Sequence, residues 1–288
     1  MPRTAVDSAQ AARDAATEAI LKAYRVSQDT PEVVYHYTSL PSMVSIIESG
    51  IIRASNVQFS NDPAEVTYGH KVIREVLQQS FSNMDLSEVF EIITEIDYYA
   101  ISFSAVGDSL PQWRAYCSNG QGVALGFHSA AFAQHEQLSF GRVEYDRSKQ
   151  QELVRSLIDV YAPKIRRLAT DNQRRAPVVA ALARLFVVVA GIIKDEAYAS
   201  EHEYRAFTTQ PRPREWHLFP VKFRATQTSV VPYLEFAFTS TNFAYPLTEI
   251  MLGPCLDVAL TRPSIEAFVA QVIKTSIDVK SSVIKMRI

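Results

Sequence analysis

Two short polar strings, far apart in the chain, carry the residue types that chemistry needs: Tyr35-His36-Tyr37-Thr38 and Glu201-His202-Glu203-Tyr204-Arg205. The first supplies an imidazole, two phenols and a hydroxyl; the second supplies two carboxylates in Glu-x-Glu spacing. Each sits where strand-like sequence meets turn-like sequence. Side chains alternate faces along a strand, which places Glu201, Glu203 and Arg205 on one face with His202 on the other, and sets His36 and Tyr37 on opposite faces. Two like charges side by side raise the pKa of at least one carboxylate. That suits a site where one carboxylate stabilises positive charge and the other orients a nucleophile. An imidazole and a carboxylate pair meeting from distant strands would line a pocket fit for a ribose and for a cation forming on it.

Each string also has a plainer reading. His36 in a strand can be satisfied by a backbone carbonyl, and Glu203 can pair with Arg205 on an exposed edge strand. His36-Tyr37-Thr38 shares the His-x-Thr form of phosphoesterases that use two such motifs, but no second His-x-Thr or His-x-Ser is present. In Tyr98-Tyr99-Ala100-Ile101-Ser102-Phe103-Ser104, the residues Tyr98, Ala100, Ser102 and Ser104 share a face. Its serines are placed to hold a carboxylate or a ribose, or to form the wet side of a core strand. Trp113 and Tyr116, three apart on a short helix, project to one side. They suit stacking on a flat cationic ring, or simply core. Lys164, Arg166, Arg167, Arg174 and Arg175 form one basic cluster, and Arg212, Arg214, Lys222 and Arg224 another. Both could track phosphates, although a solvated helix face accounts for the first.

The elements that must position these groups follow from the hydrophobic pattern. Residues 4 to 27 read as a helix, Val33 to Tyr37 as a strand, and a helix follows with Ser39 as cap and Gly50 as stop. Further strands fit Ile51 to Ala54, Tyr98 to Ser104, Gly122 to Phe127, Arg142 to Tyr145, Glu203 to Thr208, Leu218 to Arg224, Tyr233 to Phe238, Glu249 to Leu252 and Val283 to Ile288. Ser60-Asn61-Asp62-Pro63 is a turn that caps a helix from Ala64, and other helices fit Leu86 to Ile96, Pro111 to Tyr116 and Thr261 to Thr275. Residues 148 to 198 are helical in pattern, broken near Pro177, and read as an insertion. The order of helices and strands argues for α+β rather than a regular βαβ fold.

With 288 residues, 47% hydrophobic and 21% charged, the chain has an ordinary globular composition and room for one large domain. The net charge of −2 gives no global basic field, so any nucleic-acid contact must be local. Cys117 and Cys255 lie far apart with no ligand spacing around them, which argues against zinc or a disulfide framework and fits a reducing cytoplasm. Val178 to Ile193 is apolar but shorter than the ~20 residues a span needs, and Arg184 interrupts it, so a buried helix is expected and no membrane partner. Gly-rich phosphate loops, nucleophile elbows and kinase signatures are missing. With 9 glycines, a Rossmann site is disfavoured.

The ordered series His-Tyr-Thr, helix and Gly, Ser-Asn-Asp-Pro, Ser-Phe-Ser, Trp-x-x-Tyr, Gly-Val-x-Leu-Gly-Phe and Glu-x-Glu-Tyr-Arg resembles a bacterial family of unknown function, with Glu249-Ile250-Met251-Leu252-Gly253-Pro254 resembling its closing strand. That layout is in turn similar to the ADP-ribosyltransferase fold. The resemblance implies a split antiparallel sheet flanked by helices, within a single domain of residues 31–288; the N-terminal helix, over 1–30, and parts of the helical insertion at about 148–198 lie outside the resemblance. It implies NAD as substrate with no metal, and an ADP-ribosyl transferase or NAD glycohydrolase of the kind found among bacterial toxins and phage-defence effectors. In that correspondence Glu203 is the catalytic glutamate, preceded by Glu201. His36, with Tyr37 and Thr38, binds the NAD ribose. Tyr98 or Tyr99, with Ser102, lies in the second motif region, and aromatic faces sandwich the nicotinamide, with the choice of tyrosine left open; Trp113 and Tyr116 are further candidates for contact with the cofactor. The family often carries Trp after the second Glu, where Tyr204 stands here. The acceptor would be protein, nucleic acid, a small molecule or water. Two other classes compete: a catalytically silent nucleotide- or nucleic-acid-binding domain of the same fold, and a partner-binding protein that self-associates through helices 148–198.

Overall fold

The computed structural model describes residues 30–60, 65–80, 87–212, 217–226, 228–238, 245–274 and 276–286. The helix expected over residues 4–27, and residues 61–63 of the expected turn, lie outside the described residues. Strand β1 (Val33–Thr38) leads into helix α1 (Leu40–Ser49), which starts where Ser39 Oγ accepts a hydrogen bond from the Ser42 N–H at 3.3 Å. The helix stops at Gly50, whose φ of 64° lies in the left-handed region that glycine adopts without strain. Then follow β2 (Ile51–Asn56), a 3₁₀ turn (Val57–Phe59), α2 (Glu65–Ser80), α3 (Ser87–Thr94), β3 (Ile96–Ser104), α4 (Leu110–Tyr116), β4 (Val123–His128), α5 (Ala130–Ala133) and β5 (Ser139–Arg142). Two long helices, α6 (Arg147–Arg167) and α7 (Asn172–Ile192), precede a second 3₁₀ turn (Glu196–Glu201). The chain closes with β6 (Glu203–Pro211), β7 (Lys222–Ala225), β8 (Val230–Ala237), β9 (Leu247–Leu252), α8 (Val258–Ile273) and β10 (Asp278–Ser281).

The result is an α+β fold around one open sheet that is antiparallel except where β10 joins β9. Its topology forks. Strand β6 pairs with β3 along its whole length, from Ile96↔Pro211 to Ser104↔Glu203, and so occupies one edge of β3. The other edge is shared: β1 takes it at Ser104, opposite Tyr35, while β2 takes it at Ala100 and Tyr99, opposite Ser55 and Asn56. Ile101 to Phe103 pair with neither. From this fork one arm runs β1-β4-β9-β10 and the other β2-β8-β7.

Alternation along β3 separates two cores. Tyr98 and Ala100 pack with Phe207 beneath a helical layer that includes Val72 of α2, Ile93 of α3, Leu157 of α6 and Phe186 of α7. Tyr99, Ile101 and Phe103 face the other way, into a core with Ile47 of α1, Phe127, Leu234 and Val269 of α8. Ser102 and Ser104 continue the Tyr98 face past the end of the helical layer, Ser102 exposed and Ser104 buried.

Residues 148 to 198 therefore supply half of a main core layer. The break falls at residues 168–171, where Asp171 Oδ1 accepts from the Arg174 N–H at 3.1 Å and restarts the helix. Pro177 lies inside α7; the burial of the helix outweighs the ~3 kcal/mol that an interior proline costs. By length and composition α7 could cross a membrane, but 67% of its most apolar window is buried against this core. Three expected strands are displaced. Arg142 to Tyr145 gives way to β5 at Ser139–Arg142. The N–H groups of Leu218 and Phe219 donate to Gln210 Oε1 at 3.0 and 2.7 Å, so β7 begins only at Lys222. The Val283 and Ile284 N–H groups donate to Asp108 Oδ2 and Ser282 Oγ, and the last strand is Asp278–Ser281 instead.

Gly69 of α2 lets α7 approach closely: a Cβ there would lie 2.6 Å from the Ala190 Cα and 2.7 Å from its carbonyl oxygen. Gly69→Ala is expected to lower stability by about 1–3 kcal/mol despite the better helix propensity of alanine. Urea unfolding of the two proteins tests this, and an unchanged midpoint would show that the helices separate at no cost.

Candidate functional site

A cleft of about 390 Å³ opens at the fork, floored by Ser102 and Ser104 and walled by both arms. Its centre is a cluster of four charges. Lys194 Nζ donates to Glu201 Oε2 at 2.6 Å and to Glu203 Oε2 at 3.3 Å. Arg205 grips Glu203 with two parallel bonds, Nε to Oε1 at 2.8 Å and Nη2 to Oε2 at 2.9 Å, and its Nη1 donates to the Gly191 carbonyl. The side chains of Lys194, Glu203 and Arg205 are 4, 6 and 3% exposed, and Glu201 is 15% exposed. Two cations and two anions therefore neutralise one another out of water.

Three segments bring them together. Lys194 follows the end of α7, where Ile193 bridges to Glu144 and Gln150 Nε2 donates to the carbonyls of Glu144 and Lys194, both at 2.8 Å. Gln150 is fully buried, so this clamp has no competition from solvent. The 3₁₀ turn begins at Asp195, which caps the Ala197 N–H at 3.0 Å, and ends at His202 in the left-handed region, φ 46° and ψ 46°. Glu201 and Glu203 are thus not alternate residues of one strand, as the spacing implies; a backbone kink separates them, and they converge on Lys194 from different elements. The kink is held at both sides: Ser104 Oγ donates to the Glu201 carbonyl at 2.7 Å, and the Glu203 N–H donates to Tyr145 Oη at 3.1 Å. Glu203 and Arg205 do share a face of β6, as expected.

The two carboxylates are pushed apart in acidity. Burial raises Glu203, but the Arg205 guanidinium and the Lys194 ammonium outweigh it and hold the group below the ordinary carboxylate range. Burial also raises Glu201; Lys194 opposes the rise, the Glu203 charge adds to it, and Glu201 ends above that range. Opposed shifts in neighbouring carboxylates occur both in acid–base pairs and in structural ion-pair networks.

His36 occupies the fork. Its Nδ1 lies 2.9 Å from the Ser102 carbonyl, which a continuous sheet would have paired with a backbone N–H, and its ring meets the edge of Phe103 at 5.8 Å. Burial lowers its pKa, and the bond to Ser102 opposes that only in part. The plainer reading, a carbonyl partner, thus describes one ring nitrogen of a residue that also lines the cleft.

Of the expected site residues, His36, Tyr37, Ser102, Tyr116, Glu201 and Glu203 line the cleft together. Tyr37 is fixed by bonds to the Val106 carbonyl (2.8 Å) and from the Ser109 N–H (3.0 Å). Thr38, Tyr98, Tyr99 and Trp113 are not among the lining residues. Thr38 ends β1, its carbonyl accepting weakly from Cys117 Sγ at 3.4 Å. Tyr98 stacks on Phe207 at 5.3 Å beneath the helical layer, and Tyr99 belongs to the opposite core. Trp113 is wholly buried, with Nε1 donating to Asp108 Oδ1 at 2.7 Å, while Tyr116 on the same helix stays 37% exposed.

Sequence reasoning missed Lys194, Arg53, Phe59, Gln112 and Tyr198, all at the cleft. Lys194 carried a faint signal, as a cation directly after a long apolar run. Of the two basic clusters, Arg224 reaches the cleft. Arg212 pairs with Asp97 at 3.0 Å, Arg174 with Asp171 at 3.5 Å and Arg175 with Glu88 at 2.7 Å. Arg214 lies outside the described residues.

Residues 112–206 match the model of a protein family of unknown function, DUF2971. This span runs from α4 into β6 and holds Lys194, Glu201, Glu203 and Arg205, but not His36. No curated protein and no solved structure matches the chain.

Removing one member of a desolvated charge cluster strands its partners. Glu203→Gln is expected to cost roughly 3–5 kcal/mol; adding Arg205→Met, which removes the stranded guanidinium, should recover part of that loss. Because the folded-state pKa of Glu203 is depressed, its contribution is fully present above the ordinary value of 4.5 and is lost as pH falls below it. The wild-type advantage over Glu203→Gln in denaturant midpoint should therefore shrink on acidification. An advantage that grows towards low pH would contradict the charge assignment.

Proposed function

We propose that the cleft binds NAD and cleaves its nicotinamide–ribose bond, passing ADP-ribose to an acceptor hydroxyl, amine or water. The observation that carries this is a pair of carboxylates, Glu201 and Glu203, that converge on Lys194 in the cleft that His36 also lines at the fork of the sheet. The same combination of split sheet, first-strand histidine and late Glu-x-Glu is the layout that the resemblance to ADP-ribosyltransferases implies, which supports the reading. The transition state of such a cleavage is an oxocarbenium-like ribose. Glu203, ionised and fixed by Arg205, supplies a preorganised negative potential for that cation. The C1′–N bond breaks with its electron pair leaving on nicotinamide, whose ring charge is thereby neutralised. A bond forms from the acceptor to C1′, and the acceptor's proton passes to Glu201, whose raised pKa makes it the better proton acceptor of the two. His36 faces the ribose, and Tyr116 offers a partly exposed ring to the base.

One observation favours a second reading, a nucleotide-binding module without turnover: both oxygens of Glu203 are engaged by Arg205, so this carboxylate acts through its field rather than through a free lone pair.

The test is nicotinamide release from NAD by wild type, Glu201→Gln and His36→Ala, with circular dichroism to establish folding. Glu201→Gln is expected to lose about 10²–10⁴-fold in kcat while retaining NAD affinity. The wild-type rate should fall on acidification through a pKa above the ordinary carboxylate range, as Glu201 takes up its proton. Full turnover in Glu201→Gln would remove it from the chemistry. NAD bound but not cleaved by the wild type would favour the binding module.

A further inference from the structure

The wall of the cleft formed by β2 and β7 carries charge that the Lys194 cluster does not balance. Arg53 and Arg224 both line it. Arg224 is exposed; its Nη2 donates to Ser55 Oγ at 3.4 Å, and it pairs with no carboxylate among the described residues. Arg53 is stacked over the Tyr233 ring at 4.7 Å, and its Nε lies 3.9 Å from Glu235 Oε1, at the limit of ion pairing. Glu235 makes its short contact elsewhere, accepting from Lys222 Nζ at 2.6 Å. Among the described residues, Arg53 and Lys222 thus share one carboxylate on this wall, and Arg224 has none. At the other end of the cleft, the charges of Lys194 and Arg205 are matched by Glu201 and Glu203.

The sheet register sets the distance between the two ends. Ser55, which anchors Arg224, stands opposite Ala100, and Glu203 stands opposite Ser104 on the other side of the same strand. Four residues along β3 and two interstrand spacings separate them, roughly 13 Å by 10 Å at the backbone. Long arginine side chains on one side and glutamates on the other narrow this gap. A free phosphate seated on the carboxylates would be repelled. A ligand with its sugar at the carboxylates and its phosphates a few bonds away would place each group against its complement.

We propose that Arg53 and Arg224 form an anion subsite that takes the phosphates of a nucleotide and fixes its direction in the cleft, anionic end on the β2–β7 wall and sugar end at Glu201 and Glu203. The direction of the sugar rests on the function proposed above; the anion subsite itself does not. Arginine suits this role because its planar fork binds phosphate oxygens in pairs and stays charged at any working pH. The stacking of Arg53 on Tyr233 holds its fork in place before the ligand arrives.

Calorimetric titration of the full chain with ADP and with adenosine reads the subsite without any turnover. The wild type is expected to bind ADP about tenfold or more tightly than adenosine, the difference made by a charge-assisted contact. Arg53→Gln combined with Arg224→Gln should bring the two ligands to similar affinity, and added salt should erode the wild-type preference. Both side chains are solvent-exposed, so the variant keeps its fold, which a thermal melt would verify. Equal affinity for the two ligands in the wild type, no binding of ADP, or a preference that survives in the double variant would each overturn the proposal. An ADP preference lost in the variant, without nicotinamide release from NAD, would leave the subsite standing and remove the proposed function. Nicotinamide release without an ADP preference would do the reverse.

Discussion

The rest of the site depends on the mutual neutralisation of Lys194, Glu201, Glu203 and Arg205. Each of these charges would be costly to bury alone, and the cluster is tolerable only because every member has an opposite charge within hydrogen-bonding distance. That requirement fixes the relative positions of the end of α7, the 3₁₀ turn and the start of β6 more tightly than packing would. It also explains the detail around Gly191. A side chain at that position would collide with the Tyr98 ring, 2.4 Å from a Cβ, and the Gly191 carbonyl is a partner of Arg205. The last turn of α7 thus meets the hydrophobic core on one side and the charge cluster on the other. The long helices act as the bracket that holds Lys194 over the sheet, and their apolar surface is the anchorage of that bracket.

The fork supplies the second constraint. Because β6 covers one edge of β3 completely, β1 and β2 must divide the other, and α1 with its Gly50 stop returns the chain from the first to the second. The space between them gives a sheet protein a concave site without a long loop. Side chains from both arms reach it: His36 and Tyr37 from one, Arg53 and Ser55 from the other. The helical layer ends between Ala100 and Ser102, so the same face of β3 is core at one end and solvent-lined floor at the other.

Much of this was legible in the sequence, and the failures have physical causes. The aromatic and β-branched run at Tyr98 to Ser104 and the apolar run of α7 announced their elements because burial demands that pattern. The two polar strings did meet. Their local geometry was hidden, since histidine, as at His202, enters the left-handed region more often than most residues but signals it far less strongly than glycine does. The choice between Tyr98 and Tyr99 could not be made from alternation, because both faces of β3 are buried there and only the tertiary edge of the helical layer decides which residues stay open. Trp113 and Tyr116 share a helix face in principle, yet the larger ring was drawn into the small core with Tyr37 and Ala124. Lys194 belongs to no motif; its meaning comes from a chain reversal that places it against residues seven and nine positions later.

The unpaired carbonyl of Ser102 has one more consequence. A carbonyl can only accept, so the ring nitrogen facing it must carry the hydrogen. Burial lowers the pKa of the ring and so favours its uncharged form, which has a single N–H. His36 is therefore held as one tautomer, with its proton on Nδ1 and a lone pair on Nε2. The gap in the sheet, by leaving one backbone oxygen without a strand partner, determines that the other nitrogen of this histidine is a hydrogen-bond acceptor, the complement of a hydroxyl group.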